Sequence, residues 1–110
     1  MKTIAINSLK PPGQEVAAFQ GINYGANVSF FIVHFSPGKG PRKHRHPYEE
    51  TFIILEGEIE AIVDGEAKTL SENNIVIIPA GAWHEFKNRS EKQVVMINIH
   101  PVPEMITEWA

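Results

Sequence analysis

The sequence predicts an all-β domain, a sandwich or a barrel, on three observations. Apolar residues recur mainly with a period of two rather than 3.6. Turn signals return about every 8–12 residues, the spacing of antiparallel all-β folds. Two apolar runs are continuous rather than alternating, Phe52-Ile53-Ile54-Leu55 and Ile75-Val76-Ile77-Ile78. A sheet with one face in water alternates, so both faces of these strands need cover. The interior covers one face. A second sheet or a partner chain covers the other, which points to a homodimer.

The elements follow in order. The start, "MKTIAINSLKPPG", lacks the apolar core of a secretory signal and breaks at Pro11-Pro12-Gly13. "NVSFFIVHF", residues 27–35, is β-branched and aromatic and stops at Ser36-Pro37-Gly38. "TFIILEGEIEAIVDGEAKTL" reads as two or three strands. Glu56-Gly57-Glu58 interrupts it, and Asp64-Gly65 signals a type I′ hairpin, whose two central residues both need positive φ. "IVIIPAG" stops at Pro79 and Gly81, and "QVVMINIH", residues 93–100, is the last long apolar run. No helix of more than two turns is expected. The best candidate for one is the tail "PEMITEWA", which could equally be an arm lying on a neighbouring subunit.

Composition bounds the function. At 110 residues the chain has room for one domain, 1–110, with one core. A formal net charge of -3, from 10 Lys+Arg against 13 Asp+Glu, argues against a nucleic-acid partner. The absence of cysteine excludes disulfides and thiolate metal sites. No apolar run approaches the roughly 18 residues of a membrane span. A cytoplasmic location is the expectation.

"HRHPYEE", residues 44–50, carries the chemistry. In a strand, residues 44 and 46 project to the same side. His44 and His46 can therefore both point inward, and Glu50 can open the returning strand beside them. "PAGAWHEFKN" supplies His84 after a Pro-x-Gly turn at the start of another strand. Three imidazoles and a carboxylate suit a divalent first-row ion. The alternative is a solvated polar hairpin.

Gly38 to Gly57 reads G-x5-H-x-H-x3-E-x6-G, and Pro79 to Asn88 reads P-x-G-x2-H-x3-N. Together these resemble the two motifs of the cupin superfamily, small jelly-roll β-barrels. The motifs span residues 38–88. The family usually has glycine six positions before the proline, where this chain has Asn73. Asparagine also tolerates positive φ, so the turn can survive. The resemblance implies a single cupin domain with His44, His46, Glu50 and His84 as metal ligands. Glu49 is expected to be solvated.

Other residues carry weaker expectations. His34 and His100 are expected to be packed or surface residues; either could support the site, and His34 is favoured because its strand leads to the first motif. Lys39, Arg42, Lys43 and Arg45 form a basic cluster. It is a solvated loop or a rim that attracts anionic substrate, with Arg42 best placed to face the barrel mouth. His34 and Arg42 are thus the catalytic candidates. Phe52, Ile54, Trp83 and Phe86 are candidates for barrel and pocket lining. Trp109 is expected at an interface or in packing.

The resemblance and the ligand set together imply an enzyme of small organic substrates, foremost a dioxygenase-type oxygenase. Four protein ligands on an octahedral ion leave two positions open. Iron, manganese, nickel, cobalt or zinc fits the ligand set. The alternatives are an isomerase or lyase, a non-catalytic module that binds or senses a small ligand, and last a metal-stabilised structural protein.

Overall fold

The computed structural model describes all 110 residues and contains ten strands and two short 3-10 turns, Ile6–Leu9 and Gly21–Asn23. The strands are β1 (Val16–Phe19), β2 (Ser29–Phe35), β3 (His44–Arg45), β4 (Glu50–Glu56) and β5 (Glu58–Val63). They continue as β6 (Glu66–Ser71), β7 (Ile75–Ile78), β8 (His84–Lys87), β9 (Val94–His100) and β10 (Glu108–Trp109). They form two antiparallel five-stranded sheets, ordered β1-β2-β9-β4-β7 and β10-β3-β8-β5-β6. No backbone pairing joins the two sheets, so the expected barrel takes the form of a two-sheet sandwich closed by side-chain packing. No helix is long and apolar enough to cross a membrane.

One cluster of 11 buried residues draws on both sheets, with Phe52, Ile54, Ile78 and Met96 facing Ile59, Ala61, Leu70 and Phe86. β9 shows why: its residues alternate strictly between buried and half-buried, so Val94, Met96, Asn98 and His100 face inward. β4 starts with the same alternation. Its last residues leave it at a bulge between Ile54 and Glu56.

The turns follow their residues. Asp64 and Gly65 have φ of 48° and 84°, and they join β5 to β6 as a two-residue hairpin. Asn73 adopts φ 72°, so asparagine does serve where glycine is usual. Gly57 has φ 81°, and a Cβ there would lie 2.7 Å from the Gln93 carbonyl oxygen. Both its conformation and its space therefore require glycine.

Asn88, closing the second motif, is a fully buried clamp. Its Nδ2 donates to the carbonyls of Phe35 (3.0 Å) and Lys92 (2.7 Å), and its Oδ1 accepts from the Ser90 amide and hydroxyl. Its backbone adds a bridge to the loop before β3, through Lys39 and Gly38. Replacing Asn88 by Ala removes a part-buried donor from the Phe35 and Lys92 carbonyls and the acceptor of the Ser90 amide at once. We expect a loss of about 2–4 kcal/mol, read as a lower urea midpoint. A loss below about 0.5 kcal/mol would refute the clamp.

Two expectations change here. The tail forms no helix, and it folds back onto its own chain, where β10 pairs with β3 through Glu108–Arg45 and Trp109–His44. The doubly apolar strands are covered on the inner face by the opposite sheet. On the outer face the chain leaves Leu55, Ile75 and Ile77 exposed by 54%, 70% and 66%.

Candidate metal centre

β3 and β8 pair at a single register, His44 opposite His84, which sets these two imidazoles side by side. His46 follows β3 with the same inward parity. Glu50 opens β4 on the facing sheet. The four side chains are each at least nine-tenths buried, and one ligating atom from each lies within 4.8 Å of all the others. Glu49 beside them is exposed.

Backbone carbonyls set the imidazoles for ligation. His44 Nδ1 donates to the Arg42 carbonyl (2.7 Å), His46 Nδ1 to the Ile106 carbonyl (2.8 Å) and His84 Nδ1 to the Ala82 carbonyl (2.9 Å). A carbonyl can only accept, so each Nδ1 carries the hydrogen and each neutral ring keeps a free Nε2 lone pair. These Nε2 atoms point toward Glu50. His84 Nε2 is 3.0 Å and His46 Nε2 is 3.2 Å from Glu50 Oε1. The His46 contact lacks the alignment of a hydrogen bond and leaves that buried nitrogen without a partner. Three imidazoles locked at Nδ1, with their Nε2 atoms gathered near one carboxylate, form a donor set that a divalent cation would bridge, so the residues fit the ion; without it, His84 Nε2 hydrogen-bonds Glu50.

Electrostatics sort the groups. Burial lowers His44 to about 4, with His84 and His46 adding to the effect, so it is neutral at pH 7. Burial also pulls His46 down, but the Glu50 carboxylate and the Ile106 carbonyl outweigh it and leave His46 raised. Burial alone would raise Glu50. The imidazoles of His100, His46 and His84 win and hold it well below the usual carboxylate range.

A pH prediction follows for metal-free protein. Folded His44 stays neutral down to about pH 4, whereas the unfolded chain takes up that proton near 6.5. Between those values the unfolded state binds more protons, so stability rises with pH. His46 has the opposite sign, since its contribution is complete below 6.5 and fades as pH rises through its folded value. Glu50 contributes above 4.5 and fades as pH falls toward its depressed value. The window from 4.5 to 6.5 therefore isolates His44 among these three. We expect stability to fall by about 2 kcal/mol on acidification across it, and His44→Gln to flatten the slope. A flat wild-type profile would mean that His44 is not buried as a neutral ring.

Behind the four groups stands His100, fully buried at the end of β9, with Nε2 3.0 Å from Glu50 Oε2, an electrostatic contact that, like that of His46, lacks the alignment of a hydrogen bond. Its Nδ1 is 2.6 Å from the Tyr48 hydroxyl, which in turn accepts the Ile106 amide at 3.1 Å. His100, not His34, is thus the supporting histidine. His34 projects from β2 with opposite parity to the buried Val33 and lies outside the cavity lining. The inward parity of Asn98 and His100 on an otherwise apolar strand was the available signal.

His44, His46 and Glu50 open into a cavity of about 190 Å³, walled by Phe31, Phe35, Phe86 and Trp109, while His84 lies behind its lining. Of the pocket candidates, Phe86 lines it. Phe52 and Ile54 are packed in the core, and Trp83 faces outward under the Arg45 guanidinium, 4.3 Å from its ring. Arg42 does not face the cavity either. It lies over the outer side of Trp109, 4.6 Å from the ring centre. Trp109 is the residue most misjudged from sequence, because its ring is 5.0 Å from that of His44 and closes one wall.

A β-sandwich carrying a buried set of three histidines and one glutamate, suited to a divalent ion, is the class that fold and site define. Residues 31–100 match the cupin domain family, and the chain belongs to it. An uncharacterized protein of Aquifex aeolicus is 34% identical over 80 residues, covering 73% of this chain and 65% of the relative. Quercetin 2,3-dioxygenase of Bacillus subtilis is 30% identical over 83 residues, covering 73% of this chain and 25% of the relative. The chain thus spans under two thirds of the first and a quarter of the second. A crystal structure from Klebsiella pneumoniae, an uncharacterized conserved protein with a double-stranded beta-helix domain, matches in fold. Its TM-score is 0.78 at 18% identity, covering 99% of this chain and 91% of that one.

Proposed function

We propose that this chain is a metal-dependent oxygenase of a small organic substrate, with His44, His46, Glu50 and His84 holding the ion. The observation that carries the reading is that three of the four ligands, His44, His46 and Glu50, open onto a mostly apolar cavity rather than being sealed among side chains. A structural zinc site would be closed. An ion held there supplies Lewis acidity and, as iron or manganese, access to dioxygen chemistry. The chain's own work is to hold the three rings in one tautomer, to keep Glu50 ionised against burial, and to keep water from the apolar side of the cavity. The dioxygenase relative has the same reaction class in its name.

The test is metal analysis of untagged protein with oxygen uptake recorded on the same sample, across diketones, catechols and thiols. Substrate-dependent uptake with iron or manganese bound supports the oxygenase. Bound zinc or nickel with no uptake moves the assignment to an isomerase, a lyase or a binding module. Failure to take up any metal overturns the reading.

The outer face of β4 and β7 supports a homodimer. Leu55, Ile75 and Ile77 together form an apolar patch of the kind that marks an interface. We expect light scattering to give twice the chain mass, and Ile77→Lys to shift it to the monomer. A wild-type monomer at tens of micromolar would exclude the dimer.

A further inference from the structure

A fourth buried histidine stands at the metal set, and what lies behind its ring separates it from the other three. His44, His46 and His84 each have a backbone carbonyl at Nδ1, a group that only accepts. His100 has the Tyr48 hydroxyl there instead, at 2.6 Å. A hydroxyl gives as well as takes, so the hydrogen can lie on either side of this bond.

The neighbours of the hydroxyl decide it. The Tyr48 oxygen already accepts the Ile106 amide at 3.1 Å. Its own hydrogen has two acceptors in reach, His100 Nδ1 at 2.6 Å and the Ile106 carbonyl at 3.4 Å. The second distance exceeds the roughly 2.5–3.0 Å of an O–H···O bond. That carbonyl also already holds His46 Nδ1. Tyr48 therefore donates to His100. With Nδ1 accepting, the His100 ring carries its hydrogen on Nε2, the opposite tautomer to the three ligands.

A ring with hydrogen on Nε2 cannot ligate through that atom. Nε2 is buried without a hydrogen-bond partner, and Glu50 Oε2 is the acceptor beside it at 3.0 Å. The contact is not aligned as a hydrogen bond, so its pull on Oε2 is that of an N–H dipole on an anion. Oε1 is the oxygen that His46 and His84 approach, at 3.2 and 3.0 Å. The two carboxylate oxygens thus face different partners, ligating nitrogens on one side and an N–H on the other.

We propose that Tyr48 is a positioning residue: through His100 it keeps Oε2 from the ion, so that Glu50 ligates through Oε1 alone. A carboxylate chelating with both oxygens would fill one of the positions that the four ligands leave open. The Tyr48–His100 pair therefore guards the place where an outside ligand binds. This rests on the metal reading above and adds to it how the open position is kept.

Two measurements test it. In Zn(II)-loaded protein, long-range proton–nitrogen NMR of the imidazoles reads each tautomer. The hydrogen is expected on Nδ1 in His44, His46 and His84, and on Nε2 in His100. In Co(II)-saturated protein, azide is titrated and followed by the cobalt absorption bands. Azide affinity is expected to be roughly tenfold lower in Tyr48→Phe and His100→Leu than in wild type. It is expected to stay within about threefold of wild type in His100→Gln, whose amide restores a donor toward Oε2. A merely structural pair would weaken cobalt binding and leave the azide affinity of loaded sites unchanged. That result overturns the positioning role while the metal reading stands. Hydrogen on Nδ1 of His100 overturns it too, and the wild-type spectrum decides this whether or not the variants fold. Failure of wild type to bind either ion removes the metal reading and this inference with it.

Discussion

Glu50→Gln is expected to lower metal affinity at least a hundredfold. Changes behind a ligand already cost about 10–100-fold, and this change alters a ligand itself. Glu50 is the one carboxylate lining the cavity, and its Oε1 is the atom on which His46 and His84 converge. The amide keeps the shape but removes the only negative charge, leaving the ion facing three neutral imidazoles. His100 then loses the anion it holds at 3.0 Å. The measurement is competition with a chromophoric chelator for Co(II) or Mn(II), with circular dichroism as the check on folding. An affinity within threefold of wild type would remove Glu50 from the site.

Deleting residues 106–110 is expected to cost 10–100-fold in metal affinity, although no ligand is deleted. The Ile106 carbonyl holds His46 Nδ1 at 2.8 Å, and its amide donates to Tyr48, which supports His100. Without it the His46 ring loses its tautomer lock and its orientation. Trp109 also leaves, which opens the cavity wall beside His44 to water. Trp109→Ala separates the two effects, because it unshields His44 while sparing the His46 lock, and it should cost less than the deletion. Unchanged metal affinity with altered dimerisation would instead make the tail an assembly arm.

Much of the site was legible because strand parity is local. His44 and His46 share a side by the period of two, and His84 and Phe86 share another, so a short stretch of sequence orients each pair. Phe52 and Ile54 were legible as inward-facing for the same reason. Parity does not give depth, however: they lie in the packed core, beyond the cavity wall. Trp83 has the wrong parity for the cavity, a fact its neighbour His84 already implied.

His100 and Trp109 were harder. Each reaches the site by a contact some 50 or more residues away in sequence, Glu50 for one and His44 for the other, and no local pattern encodes such a pairing. The short strands β1 and β10 have four and two residues, too few for periodicity to register.

The sequence by itself determined the all-β class, the hairpin at Asp64-Gly65, the turn at Asn73 and the set of groups available to a metal. These depend on φ preferences, on side-chain parity and on which residues can donate a lone pair, all properties of a residue and its near neighbours. Only the tertiary structure decided which carbonyl holds each imidazole, which histidine supports Glu50, and that the tail walls the cavity. Those depend on how two sheets stack, since stacking brings together groups that the chain itself keeps far apart.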